Sequence, residues 1–289
     1  MSPSLLAVLT LDALQQKGLE LRGVEPASVP RVEATDQPTN MVAPELILFC
    51  VKLYDTARAA ELLKPFSGPE TTVLTLQNGI ESSARLASHF GQQRILGSAA
   101  YFPANITAPG EVTYLGKIAD KPHIAFGEPR AGSSPRAEKI AAMMRAAGLV
   151  AVVADDTERL LWEKFLLIAG TSAATTLCRL SIGGISNDPD RRWLLRTAVD
   201  EAHAVAIASG ITLSEGVVDA VVAALDGNPA DGKSSQLVDL ENGKRLELEG
   251  LSGPIVKLGL EQDVATPVHR TVYAALKQFV STEDAGAPR

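Results

Sequence analysis

Two side chains stand out because each sets an ionisable group into an otherwise apolar helical stripe. Lys164 has Leu160, Leu161, Leu167 and Ile168 as its neighbours three and four positions away, so on a helix its ammonium emerges from a greasy face. Partial loss of hydration there lowers the pKa of a lysine toward the range useful for donating a proton. The plainer role is a snorkelling lysine whose stem covers apolar surface. Glu247 leads a second stripe formed by Leu251, Ile255 and Leu258. It is either a carboxylate at the positive end of a helix dipole or the partner of Lys164 in a facing acid and base pair. Glu163, beside the lysine, is expected to pair with Arg159 one turn back on a solvated face.

Two further candidates sit where strands end. Asn78-Gly79 closes the run Thr72-Val73-Leu74-Thr75-Leu76, and Lys52 follows Leu46-Ile47-Leu48-Phe49-Cys50-Val51. In a parallel sheet the carboxyl ends of strands line the ligand crevice, so a polar side chain, a flexible glycine and a cation there suit contact with a cofactor or an anion. The alternative for Asn78-Gly79 is a strand-ending turn. One formal phosphate-loop match, Gly227 to Ser234, is set aside because its upstream residues Val217, Val218, Val221, Val222 and Leu225 recur at helical and not strand spacing. It reads as a loop between helices, with Ser234 or Ser235 as an N-cap.

The elements that must position these groups change character along the chain. Apolar β-branched runs alternate with helical segments over Asp55–Leu63 and Ile80–His89, which is the order of a doubly wound sheet. Short strands with Gly and Pro punctuation follow from Arg94 to Glu128, then a helix over Pro135–Ala147 and a strand over Leu149–Val153. From Asp156 the period is helical nearly throughout. The expected helices are Thr157–Thr176, Pro189–Ser209, Ser214–Leu225, Ser235–Glu241, Leu246–Gln262 and Val268–Phe279, and the polar tail from Ser281 is expected to fray. The predicted fold is therefore α/β plus all-α, with a sheet domain over residues 1–154 and an all-helical domain over residues 155–289.

The 289 residues, 46% hydrophobic and 21% charged, suit about two soluble domains. A net charge of −7 and the lack of any Lys/Arg cluster argue against nucleic acid as a partner. No apolar run approaches the ~20 residues of a membrane span, and Met1 to Leu9 has no basic stretch of the kind that opens a secretory signal, so a cytoplasmic location is expected. Two cysteines, Cys50 and Cys178, and four scattered histidines offer no metal-ligand spacing, so no metal is expected.

Taken in order, Leu48-Phe49-Cys50-Val51-Lys52 with Asp55-Thr56, Leu74-Thr75-Leu76-Gln77-Asn78-Gly79-Ile80-Glu81, Pro109-Gly110-Glu111-Val112, Leu161-Trp162-Glu163-Lys164-Phe165, Ser234 to Asp239, and Gly253 with Thr266-Pro267 resemble the ketopantoate reductase (2-dehydropantoate 2-reductase) family. The resemblance spans residues 10–279 in collinear order. It implies a Rossmann-type NADP domain, an all-helical domain, and NADPH-dependent reduction of a 2-oxoacid such as 2-dehydropantoate in the cleft between them, with a monomer or homodimer as the assembly. By position, Lys164 matches the family's general acid and Glu247 the carboxylate that holds a substrate hydroxyl. Ser235 matches a substrate-carboxylate contact, and Lys52, Asn78 and Gly79 fall on the cofactor side of the cleft.

Two departures from the family pattern shape the expectations. Ile168 and Ser172 stand four and eight residues after the lysine, where the family typically has asparagines, and Gly232 stands where an amide often precedes the serine pair. Ser172 is thus a substrate-side position with altered chemistry, and a less polar oxoacid or ketone is expected. The family also opens with a strand and G-x-G-x-x-G, a motif found nowhere in these residues. Leu11 to Leu19 resembles the segment after the family's second strand, so about thirty residues, the usual length of a βαβ unit, are expected to be missing from an incomplete Rossmann-type sheet. NADP is then carried by the resemblance alone, with NAD an alternative. Two other readings follow: a truncated, non-catalytic remnant that binds a metabolite or partner, and a related hydroxy-acid dehydrogenase with a different substrate.

Overall fold

The computed structural model describes residues 3–38, 42–116, 118, 121–227 and 229–280. Asn228 of the loop before Ser234 and the tail from Ser281 lie outside the described residues. In chain order the first half runs α1 (Pro3–Lys17), β1 (Leu19–Gly23), β2 (Ala27–Val29), β3 (Leu46–Phe49), α2 (Thr56–Leu63), β4 (Thr72–Thr75), α3 (Ser82–Phe90), β5 (Ile95–Ala100), β6 (Ala104–Ala108), β7 (Glu111–Tyr114), β8 (Ile124–Gly127), α4 (Pro135–Ala146) and β9 (Ala151–Val153). Helices follow: α5 (Thr157–Cys178), α6 (Ile182–Ser186), α7 (Pro189–Ala208), α8 (Val217–Asp226), α9 (Ser235–Glu241), α10 (Ser252–Glu261) and α11 (Pro267–Leu276).

The main sheet has the order β3-β4-β5-β8-β9, parallel throughout except for the antiparallel pair β5 and β8. Strands β4 and β8 are buried along their whole length, which is why they read as continuous apolar or β-branched runs without alternation. Successive residues still point to opposite faces. Phe49, Val73 and Ile95 pack with Leu86 and Phe90 of α3 on one side, while Leu74, Leu96 and Phe126 pack with Ile140 and Met144 of α4 on the other. The sheet is therefore doubly wound, and together with the helical second half it has the α/β plus all-α class expected from the sequence. A smaller sheet, β2-β1-β7-β6, pairs Glu20 with Glu111 in parallel across a long stretch of chain.

The helical half is built on α5. Trp162, Phe165, Leu166 and Ala169 of that helix join Val199, Ala202 and Val205 of α7 and Ile255 of α10 in one core, with the Trp162 and Phe165 rings edge-on at 5.6 Å. Each large side chain so buried is worth about 1.5–3 kcal/mol. Fully buried Ala169, Ala173, Ala198, Ala202 and Ala206 let the two long helices lie close. A polar clasp holds α11: the Glu201 carboxylate accepts from the amides of Val268 (2.7 Å) and His269 (2.9 Å) in the helix's first turn. The buried His269 ring donates from Nε2 to the Ala198 carbonyl at 2.9 Å and accepts at Nδ1 from the Ser252 hydroxyl at 3.1 Å. Burial pushes the His269 pKa down to about 4 and the Glu201 pKa up.

Two sequence expectations need correction. The helix predicted over Leu246–Gln262 begins only at Ser252, and Glu247 lies before it, at the start of a single 3-10 turn over Leu248–Gly250. Pro254 explains this: it has no amide hydrogen and its ring crowds the preceding turn, so it is tolerated only in the first turn of α10. Glu163 does not pair with Arg159; its Oε1 accepts the Ser214 amide at 3.0 Å, ahead of α8.

Candidate active site

Lys164 is placed by the packing of α5. With Trp162, Phe165 and Leu166 fixed in the core and Ile168 packed against it, Lys164, Ile168 and Ser172 follow one another at one-turn spacing along α5. Asp156 caps the helix by accepting the Arg159 amide at 2.9 Å. The Lys164 ammonium donates to Asn78 Oδ1 at 2.9 Å and lies 5.7 Å from the centre of the Tyr101 ring. Among the described residues no carboxylate lies within 4 Å of it to balance the loss of hydration, and burial lowers its pKa to about 8. Tyr101, on the loop after β5, is itself pushed to about 12 by burial and by the Glu163 charge, so its phenol stays neutral. The snorkelling alternative puts the ammonium in bulk water; here it is half-buried and hydrogen-bonded to the end of a strand.

Asn78 and Gly79 follow β4 and close the carboxyl edge of the sheet. Gly79 has φ +94°, and a Cβ on it would lie 2.9 Å from the Gly250 carbonyl oxygen, so both its conformation and its space require glycine. Gly250 in turn faces Leu53, whose Cδ1 would be 2.1 Å from an added Cβ. The buried Leu53 side chain thus packs against both Gly79 and Gly250, joining the sheet to the helical half.

Lys52 and Glu247 meet on the near side of the same joint. Lys52 Nζ donates to Asp239 Oδ2 at 2.7 Å and Glu247 Oε2 at 3.0 Å, and Glu247 Oε1 accepts the Leu53 amide at 2.9 Å. The carboxylate side chains are only 11% and 12% exposed. Burial opposes the charge of Lys52, but Glu247 and Asp239 outweigh it and hold the ammonium well above its ordinary range. Glu247 therefore pairs with Lys52, and Lys164 with Asn78; among the described residues Lys164 and Glu247 form no direct ion pair.

Of the serines, Ser234 is the N-cap of α9, accepting the Leu237 amide at 3.1 Å and meeting Thr175 of α5 at 2.7 Å. Ser235 is exposed at the first position of that helix, and Ser172 is buried on α5. Lys233, the lysine of the rejected phosphate loop, pairs with Glu241 at 2.8 Å. Sequence reasoning missed Asp239 and Tyr101. Asp239 was detectable as the residue one turn after Ser235 on the same helix, whereas nothing local marks Tyr101.

Comparison with known proteins places this arrangement. The family described as "Ketopantoate reductase PanE/ApbA" matches residues 5–129, and "Ketopantoate reductase PanE/ApbA C terminal" matches residues 156–280. The chain is similar to 2-dehydropantoate 2-reductase of Halobacterium salinarum, at 36% identity over 87% of this chain and 82% of that one. It is also similar to the enzyme of that name from Archaeoglobus fulgidus, at 31% identity over 91% and 84%. Among solved structures, 2-dehydropantoate 2-reductase from Geobacter metallireducens superposes with a TM-score of 0.85 at 29% identity, covering 92% of this chain and 88% of that one.

Proposed function

The chain belongs to the ketopantoate reductase family, an oxidoreductase family, and from that premise we propose that its cleft reduces the carbonyl of a 2-oxoacid with a reduced nicotinamide dinucleotide, NADPH before NADH, and with Lys164 as the proton donor. The observation that carries this reading is the Lys164 ammonium held at 2.9 Å by Asn78 and lowered in pKa to about 8. Near neutral pH such a group is protonated yet gives up its proton readily.

When bound, the dinucleotide supplies hydride. Lys164 polarises the carbonyl oxygen, and as the carbon gains its fourth bond the developing alkoxide takes a proton from Nζ, forming the hydroxyl. The lysine, left neutral, is reprotonated from water. Asn78 aims Nζ by accepting from it, and the neutral Tyr101 ring lies 5.7 Å from Nζ. Ser235 and Ser172 are assigned to the substrate carboxylate and body. Glu247 is assigned to a substrate hydroxyl, which requires an oxygen it now shares with Lys52.

The residues present fit one end of the dinucleotide. Asn78, Gly79 and Lys52 lie at the carboxyl edge of β3 and β4, where the nicotinamide would be held. No strand, glycine loop and helix cradle for a pyrophosphate occurs among the described residues, and Lys52 is already committed to two carboxylates. Titration with NADPH and NADH therefore comes first; an intact fold with no measurable affinity for either would favour a non-catalytic binder. Turnover is then assayed with 2-dehydropantoate and a panel of branched 2-oxoacids. Ile168 and Ser172 predict preference for the less polar substrates, and family-like efficiency on 2-dehydropantoate alone would overturn that preference. Lys164→Ala should reduce turnover far more than cofactor affinity; equal retention of both would return Lys164 to a snorkelling role.

A further inference from the structure

A second concavity lies behind the joint. It has a volume of about 450 Å³ and opens between α2 and α3 on one side and residues 245–250 on the other. Leu53, packed against Gly79 and Gly250, lies on its wall, and neither Lys164, Asn78, Ser172 nor Ser235 lines it. Its charged lining is Arg85, His89, Arg245, Glu247 and Glu249.

The balance of partners within this cleft is uneven. Glu247 is satisfied by Lys52 and the Leu53 amide, and Glu249 accepts from the Tyr273 hydroxyl. Arg85 uses one terminal nitrogen on Glu81 at 2.6 Å, leaving its other donors open. His89 meets Glu61 through Nδ1 at 3.1 Å, leaving Nε2. Among the described residues Arg245 has no carboxylate within 4 Å and its buried Nε has no hydrogen-bond partner; its guanidinium stacks on the Tyr54 ring at 4.4 Å. Burying a guanidinium donor without an acceptor is unfavourable. A stacked, oriented fork with unused donors is the arrangement that takes a planar or tetrahedral oxyanion through paired hydrogen bonds.

We propose that this cleft is a binding site for a small organic oxyanion, a phosphate monoester or a carboxylate, held by the Arg245 fork with Arg85 closing on it. The volume falls within the range of small-molecule sites and exceeds what a bare phosphate needs, so the ligand carries an organic body. Tyr54, on the wall beside Arg245, supplies an aromatic surface for that body. The cleft borders the site assigned above through Glu247, but its anion-holding groups, Arg245 and Arg85, have no part in that reaction.

The test uses the full chain and direct calorimetric titration with inorganic phosphate and with phenyl phosphate, each against sodium chloride at matched ionic strength. Saturable binding is expected for both, tighter for phenyl phosphate, with at least a tenfold loss of affinity in Arg245→Met and a smaller loss in Arg85→Gln. Arg245→Lys keeps the charge but loses the fork and should bind weakly. Should Arg245→Met fail to fold, Arg85→Gln and Arg245→Lys carry the same test. Phosphate binding that all the folded variants retain at wild-type affinity would place the ion elsewhere and overturn the proposal. So would a response no greater than that to chloride.

Discussion

Replacing Asn78 by Asp is the most informative single change, because it alters the charge beside Lys164 with almost no change of shape. The new carboxylate oxygen would stand where Oδ1 now sits, 2.9 Å from Nζ. At that distance two unit charges attract by about 6 kcal/mol at an effective dielectric constant of ~20, and by about 3 kcal/mol if the half-open site doubles that constant. The smaller figure is about two pH units, enough to return the lysine from about 8 to near its ordinary 10.5. Because the protonated lysine is the active form, the wild-type turnover number should fall as pH rises through about 8, and in Asn78→Asp that falling limb should move to about 10. Turnover at pH 7 should also drop, since a more basic ammonium is a poorer acid. Asn78→Leu, which removes the hydrogen bond without adding charge, should not move the limb upward. NMR titration of isotope-labelled lysine reads the same shift without any substrate. A lysine resonance assigned to Lys164 that titrates near 10.5 in the wild type, or a limb unmoved by Asp, would refute the reasoning.

Three further outcomes follow from the joint and the clasp. Gly250→Ala places a methyl carbon on Leu53 and should destabilise the protein by about 1–3 kcal/mol in urea melts, with Leu53→Ala in the same chain returning part of it; additive losses would show that the two do not touch. Lys52→Met leaves Asp239 and Glu247 without their cation and should lose about 2 kcal/mol at pH 7, less than a fully buried pair because the Lys52 side chain is 39% exposed; unchanged stability would mean solvent already satisfies both carboxylates. His269, with its pKa lowered from 6.5 to about 4, binds fewer protons folded than unfolded, so its share of stability is lost as pH falls across that window, by about 3 kcal/mol, while the raised Glu201 acts in the opposite sense. In His269→Gln the destabilisation on acidification should shrink, and melts at pH 7, 5.5 and 4.5 that keep the wild-type slope would argue against it.

Much of the fold was legible because burial on both faces leaves a local trace. Thr72-Val73-Leu74-Thr75 reads as a buried strand and is one, and the Trp162, Phe165, Leu166, Ala169 spacing announces α5. The pairing of the small sheet was not legible: β1 finds its parallel partner β7 far along the chain, and Leu19-Glu20-Leu21-Arg22 alternates for only four residues. At the site the individual groups were visible and their pairing was not. Lys164 and Asn78 were each marked by local chemistry, yet nothing within a helix or a strand end says that they touch. Glu247 was placed on a helix because Leu251, Ile255 and Leu258 do share a stripe; Gly250, Gly253 and Pro254 were the signal that the helix starts later.

The Lys52 bonds to Asp239 and Glu247 bridge 187 and 195 positions of chain, and Lys164 reaches back 86 to Asn78. Closing loops of such length costs more chain entropy than forming the local helices or the β3–β4 pairing. The candidate site therefore exists only once the two halves of the molecule have docked. A refolding chain would regain its far-ultraviolet helical signal before the Lys164 environment, and any species that stops short of docking its two halves would be structured but chemically silent.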